Sequence, residues 1–361
     1  MAPLDSKSWA DNLLARSAIS RTPINGVLEL TGQCNLRCRH CYLGETHESA
    51  EPERDTASVM ASITEWAQAG CLYLIITGGD PMMRKDFADI YRHAREAGLL
   101  VSVFCNGTLI TDAIADLFQE LPPRLVEISI YGATPETYER VTRRPGSHAR
   151  AWAGIRRLLD RGVVVGLKTT LLTLNQHELP AMEAQARKLG LRFRYDAAVI
   201  PSLSGKGGHP EHLRVAPEDV VAIDLSDPER RRQWKERIER ARRLPHSRFV
   251  YECGAASTGF FADPQGRLSP CVLTRQYQFT ARPGEFLKVW NEEMSRIRMI
   301  PRTRTDGATV GDLRGACAHC PAHNFVETGH EECDSGYMLR VANLRFQHVM
   351  AKKGDRDHEH E

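Results

Sequence analysis

The chain has no apolar run near the roughly 18 residues that a membrane-spanning helix needs. Its first twenty residues carry Asp5, Lys7, Asp11 and Arg16 without a continuous apolar core, which argues against a secretory signal. Charge of either sign is not in excess. Lys and Arg number 48 against 46 Asp and Glu, a net charge of +2, which gives no support to nucleic-acid binding through bulk charge. No internal repeat is present. What remains is 361 residues, 42% hydrophobic and 26% charged, an ordinary globular composition that excludes collagen-like, fibrous and wholly disordered chains. The expectation is a cytoplasmic protein with no membrane or nucleic-acid partner, long enough for one large α/β barrel or two domains.

Short apolar runs alternate with helical stretches from Val27 onward. Val27–Leu30, Leu72–Thr77, Leu100–Cys105, Leu125–Ile130, Val163–Thr170 and Leu191–Asp196 read as strands. Between them, Thr56–Ala69, Phe87–Ala97, Ala113–Glu120, Ala151–Arg161 and Leu179–Leu189 read as helices, several stopped by a glycine. Six βα-type units predict an α/β fold, a partial (β/α)6 barrel with parallel strands. The expected division is a lead-in over 1–22, the barrel over 23–215, a charged connecting helix over 216–250, a loop-rich domain over 251–345 and a disordered charged tail over 346–361. The basic stretch Asp227–Arg243 reads as a solvated helix face.

Ten cysteines fall into two groups with two outliers. In a reducing compartment such clusters point to metal or redox chemistry rather than disulfides. Cys71 and Cys105 stand beside apolar strands and read as small buried hydrophobes. The first group is Gly32-Gln-Cys34-Asn-Leu-Arg-Cys38-Arg-His40-Cys41-Tyr42, with C-x3-C-x2-C spacing after the first strand. Three thiolates on one loop can hold an iron–sulfur cubane and leave one iron open to a ligand. A structural zinc site fits the same cysteines less well, because His40 sits awkwardly for joint ligation. Thr77-Gly78-Gly79-Asp80-Pro81 follows the second strand, where the glycines let backbone approach a ligand closely.

These motifs resemble the radical S-adenosylmethionine (SAM) enzymes over about residues 25–200. The resemblance implies a [4Fe–4S] cluster on Cys34, Cys38 and Cys41 whose open iron is chelated by SAM. It implies that His40 lies near the adenine and that the turn of Gly78, Gly79 and Asp80 receives the SAM amino group. The family usually has Glu at the Asp80 position. Asn106 in Cys105-Asn-Gly-Thr108 is similar to the family's Asn-Gly turn beside the site, Ser129 to its ribose-contacting serine, and Lys168 is placed to meet the SAM carboxylate.

In the last third, Asp263-Pro-Gln-Gly266 reads as a hairpin turn that brings Cys253 and Cys271 together. Cys317-Ala-His-Cys320 is a C-x2-C knuckle. Four thiolates suit one further cluster or a zinc ribbon. The pattern resembles the auxiliary-cluster domain of the SPASM/twitch group, with five cysteines where the full pattern has seven and Val326 at one missing position. The resemblance implies one auxiliary [4Fe–4S] cluster on Cys253, Cys271, Cys317 and Cys320, with Cys333 as a substitute ligand. It also implies one-electron cleavage of SAM to a 5′-deoxyadenosyl radical, which takes a hydrogen atom from a C–H bond. The electron donor would be of flavodoxin or ferredoxin type. The leading substrate is a ribosomally made peptide, with leader binding, if any, left to a separate protein. The alternatives are a small molecule such as a tetrapyrrole or amino sugar, and a non-catalytic iron–sulfur electron carrier.

Overall fold

The computed structural model describes residues 6–44, 51–203, 210–245, 247–304, 313–316 and 320–350. Helix α1 (Ser6–Ser20) leads into β1 (Asn25–Glu29), α2 (Thr56–Gln68), β2 (Tyr73–Thr77), α3 (Phe87–Glu96) and β3 (Leu100–Cys105). There follow α4 (Asp112–Glu120), β4 (Leu125–Ser129), α5 (Pro135–Thr142), α6 (Ser147–Asp160), β5 (Val165–Thr170), α7 (Leu179–Lys188) and β6 (Arg192–Asp196). Strands β1 to β6 pair in sequence order, all parallel, which gives the expected (β/α)6 arrangement. Period-two alternation sends Leu28, Leu74, Ile76, Val101, Val103, Val126, Ile128 and Leu167 into a fully covered layer. Each helix turns a matching stripe inward, such as Phe87, Ile90, Tyr91 and Ala94 of α3. Cys71 and Cys105 are buried, as their neighbours in sequence suggested.

Helix α5 is absent from the sequence reading because it is short and polar. Thr134 caps it and Pro135 opens it. Glu178, from the turn before α7, completes the cap. Its carboxylate accepts from Ala133 N (2.6 Å), Thr134 N (3.1 Å), Thr134 Oγ1 (2.6 Å) and Thr137 Oγ1 (2.7 Å). Replacing Glu178 with Ala strands these donors and is expected to lower stability by about 2–4 kcal/mol. The urea midpoint should fall with an unchanged slope.

The chain divides differently from the expectation after residue 213. One compact unit comprises 1–213 with 253–298, and a second comprises 214–252 with 299–361. Segment 253–298 therefore joins the barrel unit instead of a separate domain over 251–345. Strand β7 (Gly259–Ala262) pairs parallel to β1, and β8 (Arg267–Ser269) and β9 (Phe279–Thr280) follow antiparallel, making one nine-stranded sheet. The reason is aromatic burial. Phe260 and Phe286 pack on Trp66, with ring centroids 5.2 and 6.4 Å away. Trp290 stacks on Phe286 and donates to Arg21 O at 2.6 Å. Four large rings removed from water outweigh the pull of chain proximity.

The second unit contains α8 (Pro217–Ser226), α9 (Pro228–Arg243) and the helices Pro321–Thr328 and Gly336–Met350. Within it Arg345 is buried, paired with Asp224 and centred 3.8 Å over the Trp234 ring. The stretch expected as one connecting helix over 216–250 is thus α8 plus α9, separated at Asp227, which caps α9. Most of α9 is exposed, in keeping with a solvated face. The tail beyond residue 350 lies outside the described residues. Among the described residues no helix is long and apolar enough to cross a membrane.

Candidate active site

The loop after β1 carries the cysteine trio to the carboxyl ends of the parallel strands, where such folds place their sites. Fully buried Leu36 anchors the loop from inside. Arg37 N donates to Thr142 O and Arg39 N to Val141 O, both at 3.0 Å, so the loop leans on the end of α5. Cys34, Cys38 and Cys41 line a cavity of about 360 Å³ together with His40, Gly78, Gly79, Asn106, Ser129 and Lys168. Every nominated residue of the barrel except Asp80 reaches this cavity.

Burial pushes the Cys34 thiol up to about 11, and raises Cys41 and, further, Cys38. Neighbouring thiols of the trio reinforce the shift of Cys34 and Cys38. Three half-buried thiols with raised pKa values stay protonated until a metal supplies compensating charge, so metal binding here releases protons. Three thiols on one cavity are a donor set that fits a thiolate-bound cubane with one iron left open.

His40 lies edge-on to Tyr131, with ring centroids 4.6 Å apart. Burial holds its pKa down to about 4, so the ring is neutral at working pH, and its Nδ1 is buried with no hydrogen-bond partner. This is an apolar, aromatic wall with one unspent polar atom, suited to a flat heterocycle. Opposite, Ser129, Lys168 and Arg194 are register partners on β4, β5 and β6 and share one face. Lys168 Nζ stands 3.4 Å from Glu127 and 4.1 Å from the Phe104 ring centre. Arg194 grips Glu127 through Nε at 2.7 Å and through Nη2. Burial works to raise the Glu127 pKa, yet Arg194 and Lys168 hold it below the usual carboxylate range. Two cations thus share the Glu127 carboxylate, and Asp196 on the same cavity wall acts on Arg194 as a second counter-charge.

The glycine turn also holds the cysteine loop. Gly79 N donates to Thr31 O and Asp80 N to Gln33 O, each at 2.8 Å. A Cβ on Gly79 would lie 2.3 Å from Gln33 O. The glycine lets two backbones meet and so fixes the cysteine loop as well as lining the cavity. Asp80 is fully buried. Its Oδ1 accepts from Met82 N (3.1 Å) and its Oδ2 from Asn106 N (2.9 Å). Both oxygens are taken by backbone, so Asp80 ties the second strand's turn to the third. Asn106 in turn donates to Asn35 Oδ1 (2.8 Å) and points the same nitrogen at Cys34 Sγ (3.7 Å).

Burial raises the Asp80 pKa to about 6, against the two N–H donors. The folded chain then keeps this proton to about pH 6 and the unfolded chain only to 3.8. The linked stabilisation is complete below the lower value and is lost as pH rises through the higher one, about 3 kcal/mol in all. Asp80→Asn should flatten the stability of the apoprotein between pH 4 and 6, read by urea midpoints across that range.

Of the second cysteine group, Cys253 and Cys271 flank the β7–β8 hairpin as its turn sequence implied. Burial raises the Cys271 thiol and the Cys253 thiol adds to the shift. In the second unit Cys320 caps helix Pro321–Thr328, accepting from His323 N at 3.4 Å. Cys333 receives Arg304 Nη1 at 3.3 Å. Cys317 lies outside the described residues.

Sequence reasoning missed Tyr131, Arg194 and Glu127. Alternation along Glu127-Ile-Ser129-Ile-Tyr131 places the acid, the serine and the tyrosine on one side, and would have found two of them.

The Radical SAM superfamily profile matches residues 28–184. The pre-heme d1 synthase of Dinoroseobacter shibae is 30% identical over 337 residues, 84% of this chain and 80% of that protein. The chain belongs to the radical SAM superfamily. Membership makes it a radical SAM enzyme and implies a [4Fe–4S] cluster and SAM as its cofactors. The AdoMet-dependent heme synthase of Methanosarcina barkeri is 27% identical over 86% of the chain and 95% of its own length. The PqqA peptide cyclase of Ruegeria pomeroyi is 30% identical, over 50% of the chain and 52% of its length. Among solved structures, SuiB of Streptococcus suis bound to S-adenosylmethionine superposes with a TM-score of 0.68 at 15% identity, covering 94% of this chain and 84% of that one. Native anSMEcpe with bound AdoMet gives 0.67 at 13% identity, covering 90% and 96%. The radical SAM fold thus extends over nearly the whole chain.

Proposed function

We propose that this radical SAM enzyme removes a hydrogen atom from a C–H bond of a peptide side chain. The observation that carries the reading is the convergence of the cysteine trio, the His40–Tyr131 wall and the Lys168–Arg194 cations on one cavity. When bound, the cluster and SAM supply the one-electron cleavage that starts hydrogen abstraction. His40 and Tyr131 would hold the adenine, Ser129 the ribose and Lys168 the carboxylate of SAM. The buried walls would exclude water and stray hydrogen donors. A cavity of about 360 Å³ leaves little room beside SAM, so the substrate must reach in with a side chain. Strand β6 is a sheet edge and gives Arg194, Tyr195 and Asp196 to the cavity wall. An extended peptide can lie along such an edge and point alternate side chains inward.

A second reading, a propionate-bearing tetrapyrrole, is favoured by two relatives that match over at least 80% of their own length, both named as heme-type synthases. Lys168 and Arg194 on the cavity wall would offer N–H donors to a propionate. Anaerobic assay of the reconstituted enzyme decides between them. Mass change in a short peptide encoded beside the gene supports the first reading. Change in a tetrapyrrole with none in the peptide supports the second.

An auxiliary [4Fe–4S] cluster on Cys253, Cys271, Cys317 and Cys320, with Cys333 as substitute, remains part of this proposal. The hairpin that joins Cys253 and Cys271 supports it. It requires about eight irons per chain; about four irons with one zinc would reject it.

A further inference from the structure

We propose that the Tyr138 hydroxyl donates a hydrogen bond to the Cys38 sulfur once the cluster is bound, and so raises the cluster's reduction potential. This rests on the reading that the cysteine trio holds the cluster. Tyr138 is fully buried, and its hydroxyl has no hydrogen-bond partner. A buried O–H left unpaired costs stability, and a phenylalanine would fill the same space without that cost. The chain without its cluster therefore carries a spare donor. Helix α5 delivers it from a fixed position. Glu178 caps the start of the helix, and the backbone bonds from Arg37 and Arg39 tie residues 142 and 141 at its end to the cysteine loop. Between these ties the Tyr138 ring packs edge-on to His148, with centroids 5.5 Å apart, and lies 6.1 Å from the ring of Tyr131, which lines the cavity.

Burial pushes the Tyr138 pKa far above its ordinary range, and Cys38, Cys105, Asp80 and Cys34 add to the rise in that order. The hydroxyl thus lies among groups of the site, and chemistry selects Cys38 from the four. Asp80 already accepts backbone N–H groups on both oxygens. Cys105 is outside the trio, and burial keeps it a neutral thiol, which is a weak acceptor. Cys34 Sγ already receives Leu36 N at 3.4 Å and Asn106 Nδ2 at 3.7 Å. The Cys38 sulfur receives no side-chain donor among the described residues. As a metal-bound thiolate it becomes a strong acceptor. A hydrogen bond to a ligand sulfur favours the reduced cluster, which carries one more negative charge, and so raises its potential.

The test compares Tyr138→Phe with Tyr91→Phe. Tyr91 is fully buried too, but its hydroxyl donates to Leu121 O at 2.6 Å. Leu121 lies just before β4 begins, at the amino ends of the strands and away from the site. The two variants should cross in two measurements. In the apoprotein, Tyr138→Phe should leave the urea midpoint equal or higher, because no bond is lost, and Tyr91→Phe should lower it. In the reconstituted holoenzyme, an electron paramagnetic resonance titration should follow the SAM-responsive cluster. Its one-electron reduction equilibrium should become about tenfold less favourable in Tyr138→Phe, a negative shift of about 59 mV, and should not change in Tyr91→Phe. After exchange into heavy water, the reduced parent cluster should show a deuteron coupling that is missing from Tyr138→Phe. A reduction equilibrium within twofold of the parent in Tyr138→Phe overturns the proposal, as does a deuteron pattern identical to the parent's. An equal fall of the apoprotein midpoint in both variants also overturns it, since the hydroxyl would then have a structural partner. Failure of the underlying reading looks different: the parent itself would show no SAM-responsive signal, and the proposal would fall with it.

Discussion

A chain in which Cys34, Cys38 and Cys41 are all alanine is expected to release no 5′-deoxyadenosine from SAM above background, and to lose about four irons. Among the described residues the cavity holds one cysteine thiol besides these three, that of Cys105 at the end of β3, which burial pushes far above its ordinary range. His40, with its unpartnered Nδ1, is a single imidazole and cannot stand in for three thiolates. Asn106 is engaged with Asn35 and Asp80 is engaged with backbone N–H groups. The fold should survive, because the loop is anchored by Leu36 and by its backbone bonds to residues 141 and 142, not by the thiols. Unchanged circular dichroism with lost SAM cleavage is the expected pair of results. Retained cleavage in this variant would mean that the iron sits elsewhere.

Gly79→Ala is the second large effect, and here the cause is steric. The added Cβ would meet Gln33 O at 2.3 Å, Gln33 C at 2.6 Å and Gly32 O at 2.8 Å. All three atoms are backbone, so no side chain can swing aside. The turn or the cysteine loop must move, at the expense of the Gly79–Thr31 and Asp80–Gln33 hydrogen bonds. The cost is about 1–3 kcal/mol in overpacking. Cys34 follows Gln33 directly, so the displacement reaches the first ligand. A shift of about 1 Å at a reacting centre is worth on the order of a hundredfold in rate, and that is the expected loss in SAM cleavage. Gly162→Ala provides the control. Its added Cβ meets nothing within 4 Å, and its φ of +70° makes it strained all the same. It should lose about 1 kcal/mol of stability with cleavage near the parent rate. Equal activity in the two variants would show that the turn does not hold the loop.

Local pattern was a good guide wherever chemistry or periodicity is repeated along the chain. The six parallel strands, the covered cysteines 71 and 105, the hairpin at Asp263–Gly266 and the trio beside β1 were all legible. Long-range packing was not. Nothing near Phe260 or Phe286 says that these rings belong against Trp66, so segment 253–298 looked like part of a C-terminal domain. Helix α5 escaped because its apolar stripe is only Tyr138 and Val141, and the Glu178 that completes its cap lies some 40 residues later. Asp80 entered the expected site through the family resemblance alone; only the three-dimensional arrangement reveals the two N–H groups that its oxygens accept. Arg194 sits in a strand where charged residues alternate with Phe193 and Tyr195, and its role depends on register with Lys168 and Ser129.

Electron paramagnetic resonance of the anaerobically reconstituted, reduced protein, titrated with SAM, tests the central claim most directly. An open iron on the Cys34–Cys38–Cys41 cluster predicts a saturable change in the signal, absent from the triple-alanine chain. A spectrum that does not move as SAM is added would contradict the account.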